Sequence, residues 1–184
     1  MTDYKIKIDN KGTGAGGSKT NETGLPYEHL TDLKDKYHVI SKLTNGEKIK
    51  FMNHDCEYIK TSKSDFFKYM DKFIDKNIVK GHGCKQPDEC YINEIGKIIF
   101  IIEKKFQQTG GSVCEKIQTC EFKTWQYTRT FPGWRIVYIY CLSDWFIKNC
   151  VAEIEYLNYK KLPIFWGNSL SYKEDVIKFI TNYN

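Results

Sequence analysis

Residues 97–106, KIIFIIEKKF, constrain the fold more than any other stretch of this 184-residue chain. Ile98 to Ile102 run without a polar residue, and four of these five are isoleucine, so the segment reads as a β-strand with an apolar body and a charged end. Residues 135–142, RIVYIYCL, form a second buried strand of the same kind. Strands without a polar face need cover on both sides, and helices are the usual cover. Asp65 is placed to cap one helix, with Phe66, Phe67, Tyr69, Met70, Phe73 and Ile74 largely on one side.

The remaining elements follow from local signals. Pro26 suits the first turn of a helix carrying Tyr27, Leu30, Leu33 and Tyr37 on its apolar side. Asn45-Gly46 is a hairpin turn between 40–43 and 49–51, within a region of short strands and turns over 39–57. Pro87-Asp88-Glu89 opens a strand after the turn-rich loop 81–86. After the turn at 109–111, Ser112-Val113-Cys114-Glu115 is a capping box, predicting a helix with Val113, Ile117, Cys120 and Phe122 or Trp125 buried. Residues 144–157 read as helical, with Trp145, Phe146 and Ile154 inward, and 4–8 as a short strand. The order helix, helix, strand, strand, helix, strand, helix predicts an α/β fold with a mixed central sheet flanked by helices.

No linker divides the chain, and its length suits one domain of about 150 residues preceded by an arm. The longest apolar run, five residues, is far short of the ~20 that span a membrane. Residues 1–9 are charged, without the apolar stretch of a signal peptide, so a soluble, cytoplasmic protein with no membrane partner is expected. Seven cysteines, an odd number, then argue for reduced thiols rather than a disulfide framework. A net charge of +5 and a pI near 8.7 are compatible with a polyanionic partner without identifying one.

Two tempting motifs fail on spacing. The segment 11–24, KGTGAGGSKTNETG, holds five glycines and ends near Ser18-Lys19-Thr20, but in a P-loop lysine must follow the second glycine, where Ser18 stands. Cys84 and Cys90, and Cys114 and Cys120, are each separated by five residues, whereas structural zinc prefers two to four and no histidine is suitably spaced. Buried free thiols are the better reading.

One constellation carries chemistry. Fourteen residues separate Asp88 from Glu103-Lys104-Lys105. Along a strand Glu103 and Lys105 project together, on the parity of Ile99 and Ile101, so this face turns polar only at its end. Open α/β sheets place their sites at such ends. Asp88, on the adjacent strand of a hairpin, would bring a second carboxylate to Glu103, and two carboxylates on one spot call for a hard cation such as Mg²⁺. Lys105 would then orient or help deprotonate an attacking water and steady charge on phosphorus. An ordinary exposed strand end with a Glu–Lys pair is the plain alternative.

Pro87-Asp88…Glu103-Lys104-Lys105 has the form of the PD-(D/E)xK nuclease motif. Gly16-Gly17-Ser18-Lys19-Thr20-Asn21…Gly24-Leu25-Pro26-Tyr27-Glu28 resembles the GG-x-x-TN-x-x-G-x-x-(F/Y)E opening of a group of type II restriction endonucleases. PDE, IIEKKFQQTGGSVCEKIQT and YIYCLSDWF resemble their central and C-terminal blocks, so the resemblance runs from about residue 11 to 156. It implies a PD-(D/E)xK restriction-endonuclease-like fold, with a Gly-rich arm over 1–24 and one nuclease domain over 25–184. It also implies a Mg²⁺-dependent endodeoxyribonuclease, with Mn²⁺ able to substitute, that cuts double-stranded DNA at a short palindromic site and leaves a 5′-phosphate. Asp88 and Glu103 would hold the metal, Lys105 would serve the water, and an additional active-site glutamate of the family maps onto Glu28. A homodimer matching the palindrome is expected, with a cognate DNA methyltransferase as functional partner.

Lys11, Ser18, Lys19, Thr20 and Asn21 alternate with glycines that permit close approach of backbone to DNA, suiting the arm to phosphates or a groove; a disordered terminus is its plain alternative. A repair or junction-resolving nuclease with the same core, and a non-enzymatic DNA-binding module, are the competing functions.

Overall fold

The computed structural model describes residues 26–74, 86–108 and 113–183. The arm over 1–24 with its five expected DNA contacts, the strand at 4–8, Cys84, the 109–111 turn and the Ser112 cap lie outside the described residues.

Seven strands form one sheet in chain order: β1 (Tyr37–Leu43), β2 (Gly46–Phe51), β3 (Glu57–Thr61), β4 (Glu89–Asn93), β5 (Ile98–Lys105), β6 (Arg135–Leu142) and β7 (Ile164–Trp166). Neighbours from β1 to β5 pair antiparallel, whereas β5–β6 and β6–β7 are parallel. The sheet is therefore mixed, and helices flank it on both faces. Helix α1 covers residues 26–30. It is followed by α2 (Lys63–Met70), α3 (Val113–Ile117), α4 (Cys120–Thr130), α5 (Trp145–Asn149), α6 (Val151–Tyr159) and α7 (Tyr172–Thr181). None of these is long and apolar enough to cross a membrane.

Strand parity sorts the interior into two cores. Ile99 and Ile101 of β5 join Cys90, Ile92, Tyr138 and Tyr140 beneath Phe66, Met70, Ile117, Tyr127, Phe146 and Leu157 of α2 to α6. Ile98, Phe100 and Ile102 face the other way, with Tyr91, Val137, Ile139 and Cys141 beneath Tyr27 of α1 and Val176 and Ile180 of α7. β5 and β6 thus lie between two covered faces, the placement their sequences require.

Several expectations are corrected. The first helix stops at Thr31, whose Oγ1 donates back to the Tyr27 carbonyl at 2.7 Å. Asp32 Oδ1 then accepts the Lys34 N–H at 2.7 Å, an Asx-type turn that competes with helix. Tyr37 begins β1 instead, and Leu30 is exposed. The expected hairpin is present, but it turns one residue earlier, on Thr44-Asn45, and Gly46 opens β2 opposite Leu43 with φ of 151°; a Cβ there would lie 2.6 Å from the Lys60 carbonyl oxygen. Ser62, not Asp65, stands at the start of α2, and Asp65 pairs with Lys68. The single helix expected after residue 112 is two, broken at 118–119, and Phe122 (58%) and Trp125 (54%) are exposed. The helical stretch 144–157 is likewise two, parted at Cys150.

The expectation of reduced thiols throughout is also overturned. Cys114 and Cys150 form a disulfide with Cα atoms 5.6 Å apart, while Cys56, Cys90, Cys120 and Cys141 are free. The bridge ties α3 to the α5–α6 junction.

Gly167 fixes how α1 meets the sheet. A Cβ at that position would collide with Tyr27 Oη and lie 2.7 Å from Thr31 Cγ2. Tyr27 is a rigid, buried ring whose hydroxyl pairs with Cys141 Sγ at 3.4 Å, so it cannot yield cheaply. Gly167→Ala is expected to cost about 1–3 kcal/mol, measured by urea unfolding; an unchanged midpoint would mean that α1 docks with room to spare.

Candidate active site

The C-terminal end of β5 is where the sheet turns from apolar to charged. Glu103, although only 7% exposed, and Lys105 continue the face of Ile99 and Ile101, as parity requires. Asp88 precedes β4, whose first residue Glu89 pairs with Ile102 of β5. This register sets Asp88 beside the end of β5: the Lys104 N–H donates to Asp88 Oδ2 at 2.9 Å. Lys105 Nζ lies 2.6 Å from Glu103 Oε1 and 4.0 Å from Asp88 Oδ2. The two carboxylates and the ammonium singled out by sequence spacing therefore share one place.

Glu28 approaches from α1, on the other side of the sheet. Tyr27 packs on Phe106, just beyond β5, at 5.1 Å between ring centroids, and Lys104 Nζ donates to the Glu28 carbonyl at 3.3 Å. From there the Glu28 carboxylate acts on both Asp88 and Lys105 through space. Lys11, Ser18, Lys19, Thr20 and Asn21 lie outside the described residues.

Burial pushes the Asp88 carboxyl up from the ordinary range, and the like charges of Glu103 and Glu28 add to this against Lys105 and the Lys104 N–H. Burial also pushes Glu103 up, but Lys105 and Lys123 outweigh it and hold this carboxyl below its ordinary value. For Lys105, desolvation lowers the value, and Glu103, Asp88 and Glu28 more than reverse it. In this arrangement Lys105 keeps its proton and acts as a donor, which favours orienting a water or phosphate over taking a proton from it. The pair of carboxylates, one repelled by the other, is the oxygen donor set that a hard divalent cation relieves.

Two further features escape motif spacing. Lys123 of α4 donates to Glu103 Oε1 at 2.8 Å, a contact made only by the docking of α4 over β6. Lys104 points to the opposite face, where its Nζ meets Glu89 at 2.6 Å with both side chains almost fully buried; Tyr91 Oη also donates to Glu89. The sequence signal for this second pair was present, a charge on each of two apolar strands close to the motif. Elsewhere, Cys114, Cys150 and Glu153 bring ligand atoms within 4.8 Å of one another, but the disulfide occupies both sulfurs.

Compared with known proteins, the chain matches no family model, no curated protein and no solved structure. The site stands on its own geometry and chemistry.

Proposed function

We propose that this protein is a Mg²⁺-dependent endodeoxyribonuclease of the PD-(D/E)xK type, a type II restriction enzyme that hydrolyses double-stranded DNA at a short palindromic sequence. The observation that carries the reading is the convergence of Asp88, Glu103 and Lys105, with 4.0 Å and 2.6 Å from the lysine to the two carboxylates, at the end of a central strand. A chance Glu–Lys pair on a strand needs no half-buried aspartate beside it.

Asp88 and Glu103 fit Mg²⁺, or Mn²⁺ in its place, because both are oxygen ligands and their mutual repulsion favours a cation between them. When bound, such an ion polarises a phosphoryl oxygen and makes water a nucleophile at neutral pH. Lys105 donates from Nζ to the incoming water or a non-bridging phosphate oxygen and offsets charge developing on phosphorus. Glu28 would support the metal or the water beside the Asp88–Glu103 pair. The glycine-rich arm, through Lys11, Ser18, Lys19, Thr20 and Asn21, contacts the DNA backbone. A two-fold homodimer reads the palindrome, and a methyltransferase of the same specificity protects the host sites.

Digestion of a long DNA of known sequence with Mg²⁺, followed by mapping of the ends, tests this. Discrete fragments with 5′-phosphates are expected. Cutting confined to junctions or damaged duplex would instead make it a repair or junction-resolving nuclease, and binding without cutting a DNA-binding module.

Glu28 is tested separately. Glu28→Gln keeps size and hydrogen bonding but removes the charge, and cleavage is expected to fall at least ~10-fold, about 1.4 kcal/mol of transition-state stabilisation. Specific DNA binding in Ca²⁺ should change little. Full activity would return Glu28 to the role of a surface residue.

A further inference from the structure

Neither motif spacing nor resemblance picks out Lys123, yet it supplies a second cation to the candidate centre. Its Nζ donates to Glu103 Oε1 at 2.8 Å, the oxygen that Lys105 reaches at 2.6 Å. The side chain is 12% exposed, with Nζ 5.9 Å from the centroid of the buried Tyr138 ring. A lysine on a helix ordinarily keeps its ammonium in water; this one is held against a single carboxylate.

Counting charge shows what that costs a metal ion. The ion pairs join two carboxylates, Asp88 and Glu103, to two ammoniums, Lys105 and Lys123. These formal charges already balance, so a divalent cation alone adds a surplus of positive charge. A phosphodiester bound with the cation offsets part of that surplus. Without Lys123 the surplus would be one charge smaller.

Resting on the nuclease reading above, we propose that Lys123 is a positioning residue that holds the Glu103 carboxylate in the metal-free protein and makes metal loading depend on bound DNA. Its ammonium and the divalent ion compete for the same carboxylate oxygen. A phosphate entering beside them offsets the surplus positive charge, so substrate and metal bind with positive coupling. The free protein thereby stays weakly loaded and idle.

Calorimetric titration of the full chain with Ca²⁺ or Mn²⁺, and with Ca²⁺ in the presence of a short duplex, reads this coupling without turnover. For the wild type, Ca²⁺ affinity is expected to rise on the order of 10-fold when duplex is added. Lys123→Met should bind either ion on the order of 10-fold more tightly than the wild type in the absence of DNA, and gain less from duplex. Lys123→Arg should keep the wild-type pattern. If Lys123 only braced the fold, its loss would loosen Glu103 and weaken metal binding in both states. Melting curves establish that each variant is folded, and Lys123→Gln carries the same test if Lys123→Met does not fold. A wild type that binds and cuts DNA, with Lys123→Met binding the free ion no more tightly, overturns the coupling and leaves the nuclease reading standing. A wild type that binds neither ion and cuts no DNA overturns both.

Discussion

Asp88→Asn is expected to abolish DNA cleavage and, without metal, to raise the melting temperature. The activity loss should reach at least ~10³-fold, about 4 kcal/mol, because in the proposed site Asp88 holds the metal, and a metal ligand acts on the transition state directly. The stability gain follows from the sign of the Asp88 shift. Burial, with the charges of Glu103 and Glu28, raises its carboxyl in the folded protein. Stability associated with this group is therefore present at low pH and lost as pH rises through its folded value. Above that folded value the ionised Asp88 works against the metal-free fold, and asparagine removes the charge while still accepting the Lys104 N–H. Glu103 has the opposite sign: although burial pushes it up, Lys105 and Lys123 hold it below its ordinary value. Its contribution is present above its unfolded value and lost as pH falls through the folded one. Glu103→Gln should thus lose cleavage to a similar degree while lowering the melting temperature. Lys105→Met should lose cleavage as well. A pair of variants that both cut DNA at near wild-type rates would sink the assignment, whatever their melting temperatures.

The second large effect concerns stability. Lys104→Met should destabilise the protein by about 3–5 kcal/mol, the usual cost of leaving one member of a buried ion pair without the other. Lys104 and Glu89 meet at 2.6 Å with side chains 5% and 4% exposed, so water cannot take over from the missing ammonium. Tyr91 Oη would remain as a donor to Glu89, too little to offset a full charge. The double variant Glu89→Leu with Lys104→Met should recover most of the loss, since replacing both partners with apolar groups is often close to neutral. Urea unfolding of the single and double variants measures the coupling. If the two single costs simply add, the pair is not a unit. Lys104 also holds the Glu28 carbonyl, so the double variant, though stable, should show the reduced cleavage expected of a misplaced Glu28.

These two experiments divide along the faces of one strand. Glu103 and Lys105 face the proposed site, whereas Lys104 faces the opposite side and pairs with Glu89. A substitution two residues away on the same face is therefore expected to change rate, and one residue away to change stability.

Much of this was legible in the amino-acid sequence. The strands at 98–105 and 135–142 stand out because burial on both faces leaves an uninterrupted apolar run, which few other elements of this length can carry. Parity along β5 then placed Glu103 and Lys105 together, and the β4–β5 hairpin placed Asp88 beside them, since both follow from local geometry and short-range pairing. The breaks at 118–119 and Cys150 were not legible, nor were the exposure of Leu30, Phe122 and Trp125. Apolar periodicity tells which side of a helix can be covered, but neighbours arriving from elsewhere in the chain decide which part is. β7, at three residues, is too short to display a pattern, whereas Tyr172, Val176, Ile177 and Ile180 of α7 do repeat at helical spacing. The Cys114–Cys150 bridge spans 36 residues, and spacing alone cannot choose one pair among seven thiols. Lys123 shows the limit most clearly: it lies twenty residues from Glu103 in sequence, on a helix where a lysine is ordinarily solvated. Only the packing of α4 over β6 brings its ammonium onto that carboxylate, because charge acts over a few ångströms of space and not along the chain.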